Sequence, residues 1–363
     1  MGKTSQMSAE QIQKALEAEI ISPEQADAMR SSLKNTLQNA PQGHNSVATP
    51  LETSQIGNEE NLRFLRSFSD VFIAIGLIIL GFGAAGLVRL VGGGVVNIVA
   101  ALACFLFALY FGRKLRAHLP TLILSLAFLF FTQAGAQYLF GGSGIIAASV
   151  TLFAMAVFYV FIRLPFCIAL IAVSVLYLVF ALLRYIVPSL LVNQTGAVLM
   201  VCGFIIFCLA LFYDTKDFHR QTRFSDNAFW LHFLAAPLMI HGLAIGAIRG
   251  KVETLFGVVP IITINQGEAA LILIAVGLTI LVGLAINRRA LIVSSLGYAA
   301  VALAYLVYGT GLGLSAVFVA TLILLGASIV LLGAVWHNLR NLLIRILPKW
   351  KVFPPPFPSV RTR

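Results

Sequence analysis

From Val71 to His337 the chain is a succession of apolar runs broken by short polar or basic stretches. Each run is about 18–24 residues long, enough for a helix to cross the hydrocarbon core of a bilayer. The period-two alternation of a membrane β-barrel is absent, so helices are the expected way to satisfy every backbone polar group in lipid. Ten spans are predicted, over residues 71–90, 94–112, 119–140, 144–162, 164–183, 195–213, 227–248, 269–286, 290–308 and 314–336. The fourth and fifth are separated only by Arg163-Leu164-Pro165, where a charge and a proline end one helix and start the next. The expected fold class is all-α: a polytopic transmembrane helical bundle of about ten spans over 71–337, with a small soluble N-terminal hairpin.

The ends of the chain read differently. In residues 1–34, SAEQ (Ser8 to Gln11) and SPEQ (Ser22 to Gln25) are capping boxes that open two short helices, a soluble hairpin with too little apolar surface for a stable domain alone. Residues 35–58 are polar, rich in turn formers and aperiodic, and read as a disordered linker. Residues 59–70 read as a juxtamembrane amphipathic helix, with Leu62, Phe64, Leu65 and Phe68 toward lipid and Arg63 and Arg66 among the headgroups. Residues 338–363 read as a basic interfacial tail, with Lys349, Trp350 and Lys351 at headgroup depth. The first apolar stretch begins too late for a cleavable signal peptide.

Composition agrees. The chain is 59% hydrophobic and 11% charged, against roughly a quarter charged in soluble domains. If the N-terminus is cytoplasmic, seventeen Lys and Arg flank the spans on that side. Four, Arg89, Arg184, Arg249 and Lys251, lie on the other. This positive-inside bias predicts both termini in the cytoplasm and, with an even number of spans, placement in a bacterial inner membrane. It also accounts for the net charge of +11. The expected partners are therefore the bilayer and anionic headgroups rather than nucleic acid, together with a protein partner for residues 1–34.

Little chemistry is legible. Asp70, Asp214 and Glu268 lie at span ends, and Glu268 suits a helix start. Carboxylates deep in a span, the usual cation and proton relays, are lacking. His232 and His241 share one span but are nine residues apart. That separation is roughly half a turn in azimuth and about 13 Å in rise, so they do not share a metal. Each is expected to bond a neighbouring helix, with proton handling as the other reading. Cys104, Cys167, Cys202 and Cys208 lie in apolar runs, form no CxxC, and read as small buried hydrophobes. No nucleotide, metal or nucleophile motif occurs, so neither an enzyme nor a cofactor is expected.

The polar residues that stand out are Gln133 and Gln137, four apart on one face of the third span. They should point into the bundle, because an amide in lipid is costly. Asn97, Arg89 and Arg184 fall near the same depth. Together the five outline an outward-facing polar cavity for a small solute; interhelical amide bonds with snorkelling arginines are the other reading. The first expectation makes a transporter-like protein. The alternative is a scaffold that binds partners through residues 1–34 and the basic tail. IAIGLIILGFG (Ile73 to Gly83) and IAVGLTILVGL (Ile274 to Leu284) also look alike, a hint of an internal repeat.

EAEIISPEQADAM (Glu17 to Met29), EENLRFLRSFSDVFIAIGLIIL (Glu59 to Leu80) and WHNLRNLLIRILP (Trp336 to Pro348) give the chain a likeness to a known layout. It resembles uncharacterised bacterial multi-pass membrane proteins of the domain-of-unknown-function class, which carry a short helical N-terminal segment. The resemblance implies the membrane fold and no site residue.

Overall fold

A computed structural model of the chain describes residues 22–27, 68–91, 94–217, 220, 222–247, 252–255, 259–262 and 265–346. The chain divides into two units, Met1–Ile56 and Gly57–Arg363. In the first, the reciprocal bonds expected of SPEQ form. Ser22 Oγ accepts from the Gln25 amide at 3.3 Å, and Gln25 Oε1 accepts from the Ser22 amide at 3.0 Å. The rest of the expected hairpin, the linker, most of the juxtamembrane helix and the end of the basic tail lie outside the described residues.

The second unit contains ten helices long and apolar enough to cross a membrane. They are α1 (Phe68–Val91), α2 (Gly94–Leu109), α3 (His118–Leu139), α4 (Gly144–Ile162), α5 (Phe166–Ile186), α6 (Pro188–Lys216), α7 (Arg223–Ala247), α8 (Gln266–Ile286), α9 (Arg289–Tyr308) and α10 (Leu314–Ile346). A π-helical turn, Tyr110–Lys114, extends α2. Large apolar side chains point outward: Phe82 is 76% and Val330 71% exposed. For a membrane helix this is lipid-facing surface rather than a defect, because the lipid tails are as apolar as the side chains.

Local sequence explains the helix ends. Ile162 closes α4, Arg163 takes the left-handed conformation, and α5 begins right after Pro165, as the proline predicts. Asn265 and Glu268 form a capping box at the start of α8: Glu268 Oε2 accepts from the Asn265 amide and Asn265 Oδ1 from the Glu268 amide, besides the favourable place of Glu268 at the helix dipole. Pro188 opens α6, but Gln194 breaks it with φ −133° and ψ 27°, which leaves the crossing portion to begin at Thr195. One element adds to the helical expectation. Between α7 and α8, β1 (Val252–Leu255) and β2 (Val259–Ile262) pair antiparallel, with Val252 opposite Ile262. The segment is rich in β-branched residues and lies outside the spans.

Packing is closest where side chains are smallest. α6 and α7 meet through Gly196 and Gly242; a Cβ on Gly242 would stand 2.6 Å from the Gly196 carbonyl oxygen. Elsewhere, Phe128 and Phe158 stack at 4.8 Å at the centre of the α2–α5 core, with Met155 and Leu170 fully enclosed. α6 to α10 build their own smaller apolar clusters, and α5 joins the two regions through its contacts with α6 and α7.

Candidate functional site

Four of the bundle's short loops follow the second, fourth, sixth and eighth spans, and ten successive crossings put these on one side. Each contains a non-glycine residue with positive φ: Arg116, Arg163, Arg220 and Asn287. Two of them, the α6–α7 loop and the α8–α9 junction, enclose a charged network.

Asp214 lies in the last turn of α6. A carboxylate there faces the negative end of the helix dipole and needs cations nearby. Arg288, the N-cap residue of α9, supplies one. Its Nε donates to Asp214 Oδ2 at 3.2 Å and its Nη2 donates to Oδ1, a two-pronged charge-assisted pair. Nη2 also reaches Ser225 Oγ, 3.1 Å away in the first turn of α7. Two turns further along the same face of α7, His232 Nε2 lies 2.9 Å from Asp214 Oδ2. A carboxylate oxygen accepts, so Nε2 carries the hydrogen. Both partners of Asp214 are out of solvent, His232 at 0% and Arg288 at 1% exposure.

The loops are tied in the same way. Arg220 donates from Nη1 to the Asn287 carbonyl at 2.8 Å and from Nη2 to the Ile286 carbonyl at 3.0 Å. It thereby caps the C-terminus of α8 with a cation. Asp217 accepts from both the amide and the hydroxyl of Thr222, at 2.7 Å each. α6, α7 and the start of α9 are thus joined at one end by buried polar contacts, in a region whose packing is otherwise apolar.

The residues singled out from sequence lie elsewhere. Gln133 of α3 accepts from Thr151 Oγ1 of α4 at 2.7 Å, the geometry of an interhelical amide bond. Gln137 is half-buried one turn on. Asn97 of α2 is buried, and its Cβ lies 3.5 Å from where a Cβ on Gly135 would stand. Arg184 is exposed on the last turn of α5. Arg89 falls in α1, with its side chain outside the described residues. The structure therefore sets Asn97 at the α2–α3 contact and Gln133 at the α3–α4 contact. His241 does not join His232; its ring is 6.2 Å from that of Tyr298 on α9. Among the described residues no three of His, Cys, Asp and Glu converge as a metal site would require.

In the sequence Asp214 is legible only as a span end, and Arg220 and Arg288 only as part of the basic bias of the loops. The cross-helix bond of His232 was expected; its partner was not. The one usable signal was the position of Asp214, an acid in a C-terminal turn where a base would be favoured.

No family model, curated protein or solved structure matches the chain. The fold and the site together define a multi-pass α-helical membrane protein with a charged network buried among helix ends.

Proposed function

We propose that the protein is a non-enzymatic, transporter-like component of a bacterial inner membrane, with both termini cytoplasmic. In this reading Asp214, His232 and Arg288 form a latch that closes the cytoplasmic end of the bundle. The observation that carries it is the complete burial of Arg288 against Asp214 where three helices meet. A buried ion pair is weak support for stability, because desolvation offsets the attraction. The same balance suits a gate. Opened to water, the charges regain their hydration, so open and closed forms stay close in free energy; an apolar seal has no such compensation. In the same reading a small polar solute enters from the opposite face, near Asn97, Gln133 and Gln137.

Ala236 tests the latch. It is 1% exposed, one turn further into the bundle than His232, and packs against Ile286 and Leu291. Ala236→Cys, in a chain whose four native cysteines are replaced by alanine, should resist a water-soluble maleimide in membrane fragments open on both faces. Adding Arg288→Leu should make it react. If the cysteine stays unreactive in folded protein that carries Arg288→Leu, Arg288 closes nothing.

A further inference from the structure

The helices repeat. α1 packs on α2 and α3 as α5 packs on α6 and α7. α3 packs on α4 and α5 as α7 packs on α8 and α9. The closest pairs, α2 with α3 and α6 with α7, correspond, as do α4 with α5 and α8 with α9. The left-handed residues correspond too: Arg116 with Arg220 in the α2–α3 and α6–α7 loops, and Arg163 with Asn287 at the ends of α4 and α8.

Register confirms the match. Gly94, Ala101 and Ala108 are buried on α2 at heptad spacing; Gly196, Gly203 and Ala210 are buried on α6 at the same spacing. Each series runs into a like-sounding end, ALYFGRK (Ala108 to Lys114) and ALFYDTK (Ala210 to Lys216). Gly135 of α3 abuts Ile98 of α2, and Gly242 of α7 abuts Met200 of α6, with Ile98 and Met200 at matching places in their helices. Counting back from those glycines pairs buried Leu124, Ser125 and Phe128 with buried Leu231, His232 and Ala235. Four crossings separate the copies, so they run in the same direction. The correspondence pairs α1 with α5, not with the eighth span that its sequence resembles.

The first copy therefore shows what the fold needs at this place. Asp214 corresponds to Gly112, His232 to Ser125, and Arg288, which follows the left-handed residue, to Leu164. The first copy closes the same helix ends with no charge in any of the three positions. Charge at these three positions is thus no requirement of the architecture.

Its central member is incomplete. His232 is fully buried, Nε2 is spent on Asp214, and Nδ1 has no hydrogen-bond partner. An imidazole with Nε2–H leaves a bare lone pair on Nδ1. The charged groups acting on the ring are Asp214 from α6, Arg288 from the α8–α9 junction and Arg220 from the α6–α7 loop. The other charged residues of the helices around the ring are Arg184 of α5, Lys216 of α6, Arg223 and Asp226 of α7, Glu268 of α8 and Arg289 of α9.

We infer that His232 Nδ1 is a proton-binding site, and that a proton taken up there releases the latch. This rests on the latch reading for its consequence but not for the site itself. The proton comes from water, forms the Nδ1–H bond and makes the ring cationic. Asp214 then holds two cations in a buried space that Arg220 also flanks, and the repulsion weakens the hold on Arg288. Because the added charge is set beside Arg288 and Arg220, uptake of the proton weakens the closed form, which is therefore favoured at alkaline pH and loosened in acid.

The test is melting of the full chain in detergent at pH 8 and pH 5.5. The wild-type protein should melt lower at the acid value. His232→Gln keeps a donor to Asp214 but takes up no proton, and should lose most of that acid shift, leaving what the other histidines contribute. The triple variant Asp214→Gly, His232→Ser, Arg288→Leu writes the first copy's residues into the second and should fold with an equally reduced shift. A full wild-type shift in His232→Gln would overturn the inference, whether or not the triple variant folds. If the shift vanishes in His232→Gln while Ala236→Cys remains unlabelled with Arg288→Leu, the proton site stands and the latch does not. The reverse pair of results keeps the latch and removes the proton.

Discussion

Arg288, at the junction of α8 and α9, holds both carboxylate oxygens of Asp214 at the far end of α6, 74 residues away in sequence. The pair is buried, so its members are worth more together than apart. Removing one leaves the other charged and unsolvated, at about 3–5 kcal/mol. Arg288→Leu or Asp214→Gly alone should each destabilise by about that amount. The double variant, which places the first copy's residues at these two positions, should cost clearly less than either. Denaturant unfolding of the four proteins in one detergent checks this, and simple additivity would show that the two side chains are not coupled.

Gly242 and Gly297 make a matched comparison. A Cβ on Gly242 would meet the Gly196 carbonyl oxygen at 2.6 Å and the Met200 nitrogen at 2.7 Å, both backbone atoms. Gly242→Ala should therefore force α6 and α7 apart and cost about 1–3 kcal/mol. Gly297 of α9 has nothing within 4 Å of that position. Gly297→Ala should be neutral or stabilising by up to about 1 kcal/mol, from helix propensity. Melting temperatures of the two variants should move in different directions.

Gln133 and Thr151 bridge α3 and α4. Gln133→Leu should cost little, about 0.6 kcal/mol if the bond has the average strength of membrane interhelical bonds. Thr151→Val should cost about the same, and the pair should be no worse than either alone. An additive double variant would mean that Gln133 has a second role at the α2–α3–α4 contact.

Topology follows from the basic loops. Reporter fusions after Lys114, Lys216 and Arg289 should report cytoplasm, and those near Gly141 and Asn265 the opposite side. A cytoplasmic signal at Asn265 would overturn the proposed orientation and leave the β1–β2 hairpin on the wrong face.

What could be read from sequence was whatever depends on neighbours in the chain. Apolar length marks the ten spans. The Arg163-Leu164-Pro165 break and the Glu268 helix start are local steric and capping effects, and both appear where expected. The charged network is different in kind. Arg288 and Asp214 are brought together by the packing of α7 and α9, which no local pattern encodes. The duplication hides for a related reason. What the two copies share is small residues at contact points, while lipid-facing positions are free to drift among Leu, Ile, Val and Phe. Chance likeness among such positions made the first and eighth spans look related.

Arg116 and Arg163 are exposed, and each sits in the left-handed region with φ 54°. An L-residue there costs roughly 1–2 kcal/mol, which glycine would avoid. In the finished molecule the two side chains do little that a glycine backbone would not do better. With the proposed orientation, their value would fall earlier, while the nascent chain is threaded into the bilayer and basic loops bias which way the next helix points. In that orientation the strained turns would be a record of biogenesis kept in the mature protein, serving how the chain enters the membrane at the expense of how comfortably it rests there. Glycine at both positions should yield a protein harder to unfold and more often inserted upside down.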